Sequence, residues 1–478
     1  MSNLRRIAKN TALLFIAQVV TYILTFFYTI YIARFLGAEG FGILAFALAF
    51  AGIFSIFADL GLNTLIVREV SRNKSHEKKF LGNIVLIKIV FAITTFLAAL
   101  MIINLMNYAE NVINVVYIIL LATLFFGISG IFNSIFQAHE KIKYMALGLI
   151  INSFLMFVGV LFALYYKFDV MGFAFIYLFA NGIFLVYSII ICLWKFFIPE
   201  IEFNWNFWKF TIKEALPFGL TGISLMVYTY IDSVMLSLIH GNEVVGWYNA
   251  AYRLIIILMY VPGIINITIF PSMSKFYISS KDLLQSIKEK YFKMMIIIGI
   301  PTAAAVTILA DQIILLIFGT NYLPSIIALQ IIVWTIIFTF SGAAFIKLLE
   351  ATNKQLIVTK ISIMCVIANI LLNLVLIPRF SYIGASISTV LTEMILVGSV
   401  IVISYKIGYG IYSKRAVFDI LKVIIATLIM SGFIIYFKIL NLLLIISAVL
   451  IYIFTLYLIK GIDEEDINIF KEIINKKN

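Results

Sequence analysis

Several charged side chains in this sequence stand where charge is costly. Lys88, Asp232, Arg253 and Glu393 each fall inside a long apolar run. An ionisable group in such a run is a candidate for function. Lys88 and Arg253 have the chemistry to hold a phosphate through charge-assisted hydrogen bonds. Lys88 lies ~12 Å into its run at about 1.5 Å per residue, so snorkelling to a headgroup is the other reading of it. Asp232 and Arg253 lie on consecutive runs, where a structural ion pair competes with a role in a substrate cavity. Glu393, near the middle of its run, needs either a partner or a proton, which suits a group that couples transport to an ion. Asp59, Arg68 and Glu69 end one run, and Lys347 and Glu350 end another. These five suit the rim of an inner gate.

A second pattern suggests chemistry and then excludes it. Gly37-x-Glu39-x-x-Gly42 returns as Gly241-x-Glu243-x-x-Gly246. Gly-x-x-x-x-Gly begins a phosphate-binding loop, but that loop needs Lys-Ser or Lys-Thr next. Here Ile43-Leu44 and Trp247-Tyr248 follow, so nucleotide binding is rejected. His76, His139 and His240 are scattered, and Cys192 and Cys365 sit alone in apolar runs. Neither a metal site nor a disulfide framework nor a cofactor is expected.

The elements that carry these residues follow from composition. The chain is 63% hydrophobic and 12% charged over 478 residues, where soluble domains run nearer 45–50% and ~25%. Apolar runs of about 20 residues read as membrane-spanning helices. We expect an all-α polytopic membrane protein with about 14 spans. The first twelve are 11–33, 43–62, 80–104, 114–137, 145–166, 171–194, 216–238, 250–270, 291–310, 325–347, 356–377 and 383–405, and two more follow at 417–437 and 441–460. The first run is too long for the core of a cleaved signal. With the N-terminus inside, most of the 35 lysines and arginines fall on the inner side. Arg34, Lys167, Arg253, Arg379 and Lys438 fall on the other. Positive charge inside therefore places both termini in the cytoplasm. It also spreads the +12 charge over many loops, which argues against nucleic acid.

The repeated glycine phrase marks an internal duplication. Lys9 and Lys213 precede matching spans, Ala138-x-x-Lys141 matches Ala351-x-x-Lys354, and Gly172 matches Gly384. Ordered echoes of this kind point to a repeated unit. The expected organisation is a six-helix bundle at 1–194, an interfacial linker at 195–215, a second bundle at 216–405, two extra helices at 406–460 and a cytoplasmic tail at 461–478. Two repeats with an even number of spans share one topology and are related by an axis along the membrane normal. Trp194, Trp205 and Trp208 with Lys195, Lys209 and Lys213 suit a headgroup-level helix in the linker. The tail reads as a short surface helix. In each phrase the glycines allow a tight turn and close packing, and the glutamate suits a helix start. Pro217, Pro262 and Pro301 should bend the second bundle.

The stretches "FLGAEGFGILAFA", "ADLGLNTLIVREVSR", "LPFGLTGISLMVYTYIDSVMLSLIHGNEVVGWYNAAYRL", "LLIFGTNYLPS" and "YIGASISTVLTE" together resemble the polysaccharide-transporter proteins. These are the Wzx-type oligosaccharide flippases of the MOP (MATE-like) superfamily, and the resemblance runs to about residue 405. It implies two six-helix bundles in a V, often with two extra helices. The implied activity is movement of lipid-linked oligosaccharide across the cytoplasmic membrane. Lipid II flippases look alike in span count but carry cations in their first two spans, where span one here has Gln18, Thr21, Tyr22 and Thr25. Multidrug exporters of the MATE group normally have twelve spans. An isoprenoid diphosphate-linked glycan is thus the expected cargo, and other glycan-assembly proteins are the expected partners. An ion-coupled exporter and a membrane-embedded glycan polymerase or ligase are the alternatives. No nucleotide motif is present, so the drive must be an ion gradient or the cargo's own gradient.

Overall fold

The structure is a computed structural model that describes residues 3–74, 77–410, 414–437 and 441–461. His76, Lys438 and the tail beyond Gly461, expected as a surface helix, lie outside the described residues. The described chain is helical and contains no strand.

Two compact units divide at Gly246 and Trp247. The first unit holds α1 (Asn3–Asp59), α2 (Leu62–Arg72), α3 (Glu77–Leu105), α4 (Glu110–Ala138), α5 (Ile142–Tyr165), α6 (Val170–Lys195) and α7 (Trp205–His240). Helix α8 (Asn242–Leu258) begins in it and continues into the second. The second unit goes on with α9 (Tyr260–Ser279), α10 (Lys281–Ile317), α11 (Ser325–Ile332), α12 (Thr335–Ala351), α13 (Gln355–Lys406), α14 (Lys414–Phe437) and α15 (Leu442–Leu458).

Among the described residues, 11 helical stretches are long and apolar enough to cross a membrane, against the fourteen spans expected. Two of these stretches, Ala12–Arg72 and Gln355–Lys406, each take in two expected spans. The chain turns inside them at single residues, Gly37 with φ 69° and Ser381 with φ 53°. Helix α15 has 17 residues and falls short by length. Large apolar side chains also point outward, as with Leu97, Met101, Phe179 and Leu428 at 59–68% exposure. Both faces of these helices are apolar, which suits a helix between protein and lipid.

The end of span two has a physical cause. After Asp59 the chain reverses at Leu60 and Gly61, with φ of 43° and 84°. Helix α2 then follows as a short amphipathic segment. Leu62, Leu65, Ile66 and Val70 are buried, a spacing that lays one stripe on the core. That stripe meets Ile84 and Ile87 of α3, Ile131 and Ile135 of α4, and Trp208 of α7. The linker tryptophans do not share one belt. Trp194 and Trp205 are exposed, whereas Trp208 is buried and donates to the Asn83 Oδ1 at 3.3 Å.

In the second unit, the expected eighth span is split. Pro262 has no N–H to give the Leu258 carbonyl, and the helix breaks between α8 and α9 at Met259. Helix α14 packs on α10, and α15 packs on α14. Tyr452 of α15 donates to the Ile297 carbonyl at 2.7 Å. Lys288, fully buried, donates to the carbonyls of Tyr409 and Gly410 at 3.0 and 2.8 Å.

Candidate functional site

The two glycine phrases take the same backbone shape and meet. Gly37 has φ 69° and ψ −176°, and Gly241 has φ 86° and ψ 178°. Glycine alone enters that region freely. Each turn starts a helix with an exposed glutamate in its first turn, Glu39 and Glu243, where a carboxylate is favoured by the helix dipole. The second glycine of each phrase lies on the backbone of the other. A Cβ on Gly42 would collide with the Asn242 carbonyl, and one on Gly246 would collide with that of Ala38. Beside this contact, Tyr108 donates to Ser237 at 2.8 Å, and Ser237 donates to Asn242 at 2.7 Å.

At the other end of span two, Lys88 is 1% exposed and does not snorkel. Its Nζ donates to Asp59 Oδ1 at 2.7 Å and to Asn63 Oδ1 at 2.8 Å. The other oxygen of Asp59 accepts from the Gly61 amide at 3.2 Å. The α1–α2 turn thus places a carboxylate and an amide around one buried ammonium from α3. Two turns on, Arg68 bonds Glu69 and also Glu214 of α7, both at 2.7 Å. The backbones approach closely here as well, because a Cβ on Gly219 would come within 2.8 Å of the Leu60 carbonyl group.

Asp232 is buried in α7 of the first unit, and Arg253 is half-buried in α8 of the second. Lys347 and Glu350, both on α12, pair with one another at 2.5 Å. Glu393, at 9% exposure, accepts from Thr339 of α12 at 3.3 Å. It continues a buried polar seam along α13. In that seam Asn373 donates to Asn369 at 3.1 Å, Asn369 donates to Ser388 at 3.4 Å, and Thr389 meets Tyr248 at 3.2 Å. The structure therefore joins Asp59 with Lys88 and Arg68 with Glu69, and it sets Glu393 against the Thr339 hydroxyl.

Residues 7–277 match the family described as polysaccharide biosynthesis protein, and that stretch is more than half of the chain. The chain belongs to this family. Its relatives include the capsular polysaccharide biosynthesis protein CapF of Staphylococcus aureus, 24% identical over 81% of this chain and 96% of the relative. Another is a Shigella dysenteriae protein provisionally named an O-antigen transporter, 26% identical over 81% of this chain and 98% of the relative. Among solved structures, the lipid II flippase MurJ in an inward closed conformation superposes with a TM-score of 0.73 at 16% identity, covering 93% of this chain and 98% of MurJ. An inward-facing multidrug resistance MATE transporter of the MOP superfamily gives 0.68 at 16% identity over 81% and 93%. At these identities the likeness is one of fold: this family member is a multi-pass membrane protein with the MurJ and MATE architecture.

Reading the sequence alone overlooked Asn63 and Glu214. Asn63 stands four residues after Asp59, but the spacing suggested a helix continuing through Leu60–Gly61, not a turn that swings Asn63 onto Lys88. Glu214 carries a visible signal, a carboxylate one turn before Pro217 at the start of a span. Its partner Arg68 is distant in sequence, so only packing reveals the pair.

Proposed function

We propose that this protein is a flippase that moves an isoprenoid diphosphate-linked oligosaccharide across the cytoplasmic membrane by alternating access. The observation that carries the reading is the match to a relative named for O-antigen transport along nearly that relative's whole length. The MurJ-like fold supports it. On this reading the protein is a transporter and not an enzyme, and both termini face the cytoplasm. The moving parts are the bundles 1–194 and 216–405, joined by 195–215 and followed by the helices 406–460. The cargo is a lipid-linked oligosaccharide, handed on by other glycan-assembly proteins.

Lys88, Arg253 and Asp232 are the proposed cavity residues. Lys88 is held by Asp59 in this structure, so an arriving diphosphate competes with that carboxylate for the ammonium. Arg68, Glu69, Lys347, Glu350 and Asp59 are the proposed inner rim. Glu393 is the proposed coupling group. The Thr339 hydroxyl on it can serve a carboxylate as donor or a carboxyl as acceptor.

The test is flipping by purified protein in liposomes that hold a lipid-linked sugar, read as access of an added lectin. Protein-dependent access is expected. Lys88→Ala and Arg253→Ala should each slow it at normal insertion, and Arg253→Lys should restore it partly, because a point charge replaces a bidentate fork. Access no faster than in empty liposomes would overturn the reading. Movement of small cations in its place would identify an ion-coupled exporter.

A further inference from the structure

The linker between α6 and α7 is pinned in place with large apolar side chains outward. The Glu200 amide donates to the Lys78 carbonyl at 3.1 Å, and Glu202 pairs with Lys79 of α3 at 3.3 Å. Gly82 of α3 admits the linker so closely that a Cβ there would lie 2.0 Å from the Glu200 carbonyl oxygen. Even so, Ile198, Ile201 and Phe203 are 66–72% exposed. Exposed apolar groups gathered on one segment mark an interaction surface.

The first three turns of α7 continue this surface, and they have two faces. Trp208, Thr211 and Ala215 are buried. Trp205, Asn206, Lys209, Phe210, Lys213 and Leu216 are exposed. At about 3.6 residues per turn these six fall on the side opposite the buried three. The sequence groups Trp194, Trp205 and Trp208 with three lysines, but packing draws Trp208 into the core. It leaves Trp205 with Lys209 and Lys213. The Lys209 ammonium stands 5.7 Å from the centre of the Trp205 ring. Glu214 is the one carboxylate in these turns, and Arg68 holds it at 2.7 Å. Among the described residues, no carboxylate pairs with Lys209 or Lys213.

We propose that this face of α7 binds acidic phospholipid headgroups, with Lys209 and Lys213 on the phosphates and Trp205 and Phe210 set among them. Continuity with the rest of α7 favours a membrane surface over a protein. Pro217 and the apolar residues after it run on into a spanning stretch, so the turns before it lie at the bilayer surface. Interleaved aromatics and lysines are the composition of such interfaces. A zwitterionic headgroup brings its own cation, whereas an acidic one leaves net negative charge for the two ammonium groups. In the orientation proposed above, the surface belongs to the inner leaflet. It is separate from Lys88 and Arg253 and does not depend on what the protein carries.

The test uses full-length protein with Cys192 and Cys365 replaced and Asn206→Cys carrying an environment-sensitive fluorophore on the exposed face. The protein is reconstituted in phosphatidylcholine vesicles with rising fractions of phosphatidylglycerol. The emission should shift to the blue and saturate as the acidic lipid is added. A lysine near an acidic surface contributes about fivefold in binding, so Lys209→Gln should lower the apparent affinity about fivefold and Lys209→Gln with Lys213→Gln roughly twenty-fivefold. Both side chains are exposed, so these variants should fold normally. Lys209→Arg with Lys213→Arg should keep the full response, because a phosphate accepts from either cation. An emission already fully shifted in phosphatidylcholine alone would overturn the proposal. So would a response that survives the double glutamine variant. A water-like emission in every vesicle would overturn it in favour of a protein partner. No flipping is measured, so the outcome stands whatever the cargo proves to be.

Discussion

The Lys88 ammonium is the most deeply buried charge among the described residues of the first unit, and it is neutralised by Asp59. Removing one partner of a buried pair leaves an uncompensated charge and costs about 3–5 kcal/mol, whereas replacing both by apolar groups is often neutral. Asp59→Ala should therefore lower the unfolding midpoint in detergent sharply. The double variant Lys88→Met with Asp59→Leu should recover most of the loss. An equal loss in the double variant would show that the pair has no special weight. The half-exposed Arg68–Glu214 bond is of another kind, worth about 0–1 kcal/mol, so Glu214→Gln should barely move the midpoint. Glu393 asks for a functional measurement. Glu393→Gln keeps the shape and the Thr339 contact but cannot exchange a proton. If Glu393 couples transport, the variant should lose gradient-driven flipping and keep exchange of cargo between the two faces. Unchanged gradient-driven flipping with its normal pH dependence would remove Glu393 from the mechanism.

Among the elements, the decisive contact is the one between the two glycine phrases. It brings the turn inside α1 onto the start of α8 with no side chain between backbones. A methyl group there must push the helices apart, an overpacking cost of about 1–3 kcal/mol. Gly42→Ala and Gly246→Ala should each destabilise the protein. Because they open the same contact, the double variant should lose less than the sum. Gly398 of α13 is the control, since a Cβ there meets nothing within 4 Å. Gly398→Ala should be neutral or stabilising by about 0.5–1 kcal/mol. Thermal unfolding of the four variants side by side decides the matter, and a harmless Gly42→Ala would show that the phrases do not need their close approach.

For the whole molecule, the testable property is orientation in the membrane. In the proposed orientation, with both termini in the cytoplasm, the α3–α4 turn lies outside and the α12–α13 turn inside. Both turns carry an asparagine at positive φ, Asn107 and Asn353, which reverses the chain at low cost. Single cysteines at these two positions, in a protein whose Cys192 and Cys365 are replaced, should react with an impermeant thiol reagent from opposite sides. Reaction of both from one side would overturn the orientation and, with it, the direction of flipping.

What the sequence determined by itself is the class of fold and the company the chain keeps. Apolar runs of spanning length can satisfy their backbones only as helices in a bilayer, so the all-α membrane architecture was legible from composition and period. The phrases around Gly37 and Gly241 also announced the family and a structural role for their glycines. Three things needed the tertiary structure. The span edge after Asp59 was illegible because a reversal at Leu60–Gly61 leaves the apolar pattern unbroken. The Lys88–Asp59 and Arg68–Glu214 pairings were illegible because each joins residues far apart in sequence, and helix packing alone chooses them. The Asn133 Oδ1, buried in α4 with no partner among the described residues, was illegible for a third reason. An asparagine in an apolar run looks the same whether its amide is satisfied or not, and only the positions of its neighbours tell the two apart.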